Sequence, residues 1–209
     1  MNQNASKIAS ETKFAAAING FDAANAQDPN HELLIGRSLP RELAYAQWLS
    51  DWVLRLEPNA SEALRLAARS QHICRWTVPR ESYPMTRAGY LQWREGLKKL
   101  HAQKSGEIMR QAGYDEQMIA RVQALNLKKD FPKDPETRVL EDALCLVFLE
   151  RQLGDLAAKT SEEKVLNALR KSWNKMTPRG REIALQLPLA EKEKRLVEKA
   201  LQPKTAPAP

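Results

Sequence analysis

The segment LEDALCLVFLE, residues 140–150, is apolar on nearly every face of a helix. A helix of that kind is stable in water only when other elements wrap it, so the rest of the chain must supply a surrounding layer. The layer reads as helical. From Pro40 to Leu56 the residues Leu43, Trp48, Leu49, Trp52, Val53 and Leu56 recur at steps of three and four behind a proline suited to a first turn. Glu57, Pro58 and Asn59 break that helix, and Ser61–Trp76 is expected to form the next, stopping before Pro79. The stretch TVPRESYPMTRAG reads as an ordered loop of a length that tends to be functional. A third helix then aligns Tyr90, Trp93, Arg94, Leu97, Leu100 and His101 on one face and is expected to break at Gly106. Gly113 closes a short fourth helix, Asp115 opens a fifth, and KKDFPKDP is a turn-rich connection. Asp134 and Pro135 cap the helix holding the apolar segment; Thr160 with Glu163 matches a capping box, and Thr177-Pro178 starts the last turns to Leu201. A short apolar helix surrounds Phe14–Phe21, and no strand alternation, internal repeat or glycine-rich nucleotide loop is visible. The expectation is an all-α protein: one compact domain of about seven to nine helices over residues 13–201, a flexible stretch at 1–12 and a disordered Pro/Ala tail at 202–209.

A chain of 209 residues with 43% apolar content can bury a sizeable core, and it holds no apolar run of about 18 residues to cross a membrane. No basic start followed by an apolar block marks secretion, and Cys74 and Cys145 are single residues inside helices. Both read as packed thiols in a cytoplasmic protein, with no disulfide-linked partner. The net charge of +7 is uneven: about −3 over residues 1–64, about +7 over 65–110, about −3 over 111–150 and about +6 over 151–209. In the first basic zone Arg65, Arg69, Arg75, Arg80, Arg87 and Arg94 interleave with Trp76, Tyr83, Tyr90 and Trp93. Guanidinium forks grip phosphate or carboxylate, so the zone faces an anion; basic side chains among stacking rings also describe an RNA-binding surface.

Glu141 and Asp142 interrupt the apolar helix and are the candidate catalytic carboxylates. Asp142 shares a face with Cys145, Leu146 and Leu149, so it enters the core and needs a partner: an arginine, with Arg69 the nearest guess, a histidine, a metal or backbone donors. His31 reads as surface. His72 and His101 lie on inward faces of two helices, where each alone reads as hydrogen-bonded core. Together with a buried carboxylate on a third helix they are the ingredients of an open-sided metal site that activates water. The tryptophans Trp48, Trp52, Trp76 and Trp93 read as core filling, and no Ser-His-Asp order or nucleophile elbow exists.

From FDAANAQDPN through ELAYAQWLSDWVLRLEPNASEALRLAARSQHICRW, PRESYPMTRAGYLQWREGLKKLHA, the GYDEQMIARVQALNLKK block, LEDALCLVFLE and KSWNKMTPRG, the chain resembles the uncharacterised family catalogued as domain of unknown function 4202. More distantly, the order of two histidines and a carboxylate is similar to the histidine-aspartate (HD) superfamily of metal-dependent phosphohydrolases. That resemblance implies an HD-like bundle and places His72, His101 and Asp142 on the superfamily's first histidine, second histidine and final aspartate. The aspartate that should follow the second histidine is Ala102, which implies either one divalent metal (Mn, Fe or Zn), held by two imidazoles and a carboxylate, in place of two, or no metal at all. The expected activity is hydrolysis of a phosphate-bearing small molecule or nucleotide, with Arg69, Arg75, Arg80, Arg87 and Arg94 binding the substrate. The competing expectation is a non-catalytic helical module that binds RNA, nucleotide or an acidic partner through residues 65–110.

Overall fold

The computed structural model describes residues 3–34 and 36–202 and is an all-α protein carrying one small hairpin. The chain divides within the helix Pro135–Val147 into two compact units, residues 1–140 and 141–209.

Unit 1 is built from α1 (Gln3–Asn25), α2 (Arg41–Leu56), α3 (Glu62–Ser70), α4 (Arg87–Gln111), α5 (Glu116–Leu127) and the first turns of α6 (Pro135–Val147). α4 packs on α5, α2 and α5 flank α3, and α1 lies against α3 and α4. Phe21, Leu49, Leu66, Ile73, Met109, Ile119 and Leu125 are completely buried. Side-chain caps start three of the helices: Ser61 accepts from Leu64 N, Thr86 from Gly89 N and Asp115 from Met118 N. Between α1 and α2, β1 (His31–Leu34) pairs antiparallel with β2 (Arg37–Pro40), His31 opposite Pro40 and Glu32 opposite Leu39. Strands of four residues carry too few alternations to register as a period in the sequence.

Three boundaries differ from expectation. α1 runs for 23 residues and extends into the stretch expected to be flexible. α4 does not break at Gly106. That glycine is an interior position where α5 comes close, since a Cβ there would stand 2.5 Å from Gln123 Nε2 and 3.2 Å from Ile119 Cγ2. α3 stops at Ser70, six residues early, and the chain turns through Cys74, which adopts a left-handed conformation at φ 55°.

Unit 2 holds the end of α6, a single π-turn at Phe148–Gln152, α7 (Leu153–Lys159), α8 (Glu162–Lys175), α9 (Pro178–Leu185) and α10 (Glu191–Leu201). α8 packs on both α7 and α10 over Val165, Leu169 and Val197. Ser161 takes the N-cap position of α8, and the Thr160 hydroxyl donates back to Leu156 O at 2.9 Å, so the expected capping box does not form. Among the described residues no helix is long and apolar enough to cross a membrane. Apart from Gln202, the expected Pro/Ala tail lies outside the described residues.

Candidate functional site

The early end of α3 decides where His72 goes. Because the helix stops at Ser70, His72 sits in a turn held by the left-handed Cys74, whose N–H donates to Asn25 Oδ1 at 3.2 Å. The imidazole stacks on Tyr45 of α2, with centroids 4.0 Å apart and planes 14° from parallel. His101 arrives from α4 and is 2% exposed; the two imidazoles stand 5.8 Å apart. His101 Nδ1 lies 2.8 Å from Ile73 O, and a carbonyl only accepts, so Nδ1 carries the proton and Nε2 keeps a lone pair.

The carboxylate beside these rings is Glu42, from the first turn of α2, 6% exposed. Its Oε2 is 3.5 Å from His72 Nδ1, and its Oε1 is 3.7 Å from Arg75 Nε. Buried Asp28 anchors the turn behind it, accepting from Glu42 N at 3.0 Å and from Asn30 N and Nδ2 at 2.9 Å. Burial pushes the Glu42 carboxyl up to about 7; Arg75 and Arg41 oppose the rise and Asp28 adds to it. Burial, followed by the charges of Arg75, Lys128 and Arg94, holds His72 well below the usual histidine range. His101 is held down to about 3 by burial and by His72, with its bond to Ile73 opposing. At neutral pH both imidazoles are therefore uncharged, among three cations and one acid whose proton is half present. When Glu42 is ionised it faces His72 Nδ1–H and leaves Nε2 as a base, the carboxylate–imidazole relation used to orient a general base.

Of the five expected arginines, two belong to this cluster. Arg75 lies 4.8 Å over the Trp93 ring, and Arg94 donates to Tyr90 OH at 3.2 Å. Arg80 instead binds its own loop, donating to Tyr83 O at 3.0 Å, Pro84 O at 2.8 Å and Thr86 O at 3.3 Å. Arg69 makes a two-pronged pair with Asp22, both contacts 2.6 Å, so the expected Arg69–Asp142 ion pair is replaced by one between α3 and α1. Arg87 is exposed in the first turn of α4.

The expected carboxylates belong to unit 2. Asp142 Oδ1 accepts from Thr177 N at 2.8 Å and Oδ2 from the Thr177 hydroxyl, while the same hydroxyl oxygen accepts from Gly180 N at 3.0 Å and caps α9. Backbone and hydroxyl donors are thus the partners of Asp142. Glu141, 3% exposed, has Lys175 Nζ at 3.5 Å. Among the described residues no group of three or more His, Cys, Asp or Glu side chains is placed to hold a metal ion. Cys74 and Cys145 are free thiols, Cys145 buried and Cys74 half-buried. Trp52 and Trp93 are core residues, whereas Trp48 and Trp76 are half-buried.

Glu42, Asp28, Tyr45 and Lys128 were not legible as site residues. Glu42 resembles an ordinary acid in a helix's first turn, and its one distinguishing sign is that it shares a face with Tyr45, Ala46, Leu49 and Val53. A family model described as Domain of unknown function (DUF4202) matches residues 15–197. Comparison with curated proteins and with solved structures finds no match.

Proposed function

The chain belongs to the DUF4202 family, and we propose that unit 1 is a phosphate-ester site in which His72 and Glu42 move protons while Arg75, Arg94 and Lys128 hold the anion. The observation that carries this reading is a buried acid with its carboxyl raised to about 7, 3.5 Å from an imidazole that burial and the charges of Arg75, Lys128 and Arg94 keep neutral. An anionic phosphoryl group relieves the crowding of positive charge around His72. Water attacking phosphorus loses its proton to His72 Nε2 as the bond from phosphorus to the ester oxygen breaks. Glu42 steadies the imidazolium, which returns that proton to the departing alkoxide, while the cations oppose the charge growing on the phosphoryl oxygens. Substrates of this class are a phosphate-bearing small molecule or a nucleotide in the cytoplasm. The order of His72 and His101 along the chain supports a distant kinship with HD phosphohydrolases, in which Ala102 stands where an aspartate is expected.

The test is phosphate release from a panel of nucleotides and sugar phosphates by the purified protein, with and without added Mn²⁺, Fe²⁺ or Zn²⁺ and with elemental analysis of the protein as isolated. Turnover that His72→Ala and Glu42→Gln each lower by about 10²–10⁴-fold supports the reading. Binding that weakens steeply with salt, with no turnover and no effect of His72→Ala, replaces it with the non-catalytic module. The Arg75, Trp93, Arg80, Tyr90 and Arg94 ladder, whose guanidiniums lie 4.8–6.0 Å from ring centroids, is the observation favouring that second reading.

A further inference from the structure

Three helices of unit 1 each contribute a pair of residues one turn apart to a small slot remote in composition from the histidine cluster. α1 provides Phe14 and Ile18, α2 provides Ser50 and Leu54, and α3 provides Arg65 and Arg69. The slot has a volume of about 160 Å³, close to the engineered cavity of about 150 Å³ that accepts benzene. Leu54 is 41% exposed there, a large apolar side chain that the fold leaves uncovered.

The polar groups are unequal. Arg69 is neutralised by its two contacts with Asp22, and the Ser50 hydroxyl hydrogen is directed to Ala46 O at 2.8 Å. The Arg65 guanidinium lies 4.2 Å over the Phe14 ring, and no carboxylate pairs with it among the described residues. Arg65, Arg69 and Asp22 together leave one positive charge at the edge of an apolar slot. We propose that this slot binds a small monocarboxylate with an apolar body of about six to eight carbon atoms, such as benzoate or hexanoate. The body displaces water from Phe14, Ile18 and Leu54, and the head group takes the fork of Arg65. A dianionic phosphate suits the slot less well, because it lacks an apolar body to cover Phe14, Ile18 and Leu54.

Calorimetric titration of the full chain with benzoate, combined with amide NMR mapping, tests the assignment. The expected result is a Kd of about 1 mM or tighter, with shifts centred on Phe14, Leu54 and Arg65. Benzyl alcohol is expected to bind at least about fivefold more weakly, and benzylamine, acetate and inorganic phosphate not to bind at the slot. Arg65→Gln should weaken benzoate by about fivefold and leave benzyl alcohol unchanged, while Ile18→Trp fills the slot and removes both. His72→Ala should change neither value, which keeps this test independent of the phosphate-ester reading. Equal affinity for acid and alcohol, indifference to Arg65→Gln, shifts elsewhere, or no binding at 10-fold above the expected Kd would each overturn the proposal. If a circular dichroism melt finds Ile18→Trp unfolded, Leu54→Trp fills the slot from the other side.

Discussion

Asp142 in unit 2 receives a backbone N–H and a hydroxyl from Thr177, whereas Glu42 in unit 1 meets His72 and Arg75 only at 3.5 and 3.7 Å. Both are buried carboxylates in helices, 4% and 6% exposed. The close hydrogen bonds make the Asp142 carboxylate a structural strut at the start of α9. One that is desolvated and incompletely bonded keeps a proton to higher pH, and that proton is available for exchange at neutrality. Burial alone does not separate the two carboxylates; the number of close donors does.

The sharpest way to break the contrast is through turnover. Glu42→Gln and His72→Ala are expected to lower phosphate release by about 10²–10⁴-fold, whereas Asp142→Asn leaves it within about twofold. Loss of turnover in the Asp142 variant with unchanged stability would invert the comparison. Wild-type activity should also show an acid limb with its midpoint near pH 7, the carboxyl of Glu42 losing its proton there, and Glu42→Gln should lack that limb.

Stability sharpens the contrast next. Asp142→Ala removes the acceptor of two donors and opens a gap at the start of α9, an expected cost of about 3–4 kcal/mol in urea unfolding, with faster hydrogen exchange at the Thr177 and Gly180 amides. Glu42→Gln is expected to stabilise. The folded carboxyl binds its proton up to about 7 and the unfolded one only up to 4.5, so wild-type stability falls as pH rises from 4.5 through 7. The variant's advantage should be near zero at pH 4 and about 3 kcal/mol at pH 8, at about 1.4 kcal/mol per pKa unit. His72 and His101 act with the opposite sign: both are held below the ordinary histidine value of 6.5, so their contribution is present above 6.5 and is lost as pH falls. A melt of Glu42→Gln at the two pH values separates these effects. The smallest expected change is Gly180→Ala, whose Cβ would lie 2.6–2.8 Å from the Asp142 carboxyl atoms; displacing that group should cost about 1–3 kcal/mol and leave Glu42 untouched.

The fold was largely legible because amphipathic helices announce themselves locally. The stripe through Leu49, Trp52, Val53 and Leu56, the Asp134 cap on Thr137 N and the Thr177-Pro178 start each need only neighbouring residues. The site was legible in part. His72 and His101 do come together and Arg75 and Arg94 act on them, although His72 lies in a turn beyond the end of α3 and not on the helix face expected for it. What could not be read was the partner. Choosing between Glu42 and Asp142 requires knowing which buried acid lacks donors, and Thr177 is 35 positions from the residue it satisfies. The end of α3 was equally hidden, since nothing in LAARSQHICRW announces a left-handed cysteine.

The Arg80 guanidinium, anchored on three carbonyls of its own loop, has a practical consequence for digestion. A trypsin-like protease needs an extended backbone and a free basic side chain, and Arg80 offers neither while those contacts persist. The proline- and arginine-rich stretch that looks easiest to nick should therefore resist cutting after Arg80, and an Arg80→Lys chain, unable to span all three acceptors, should become cleavable there.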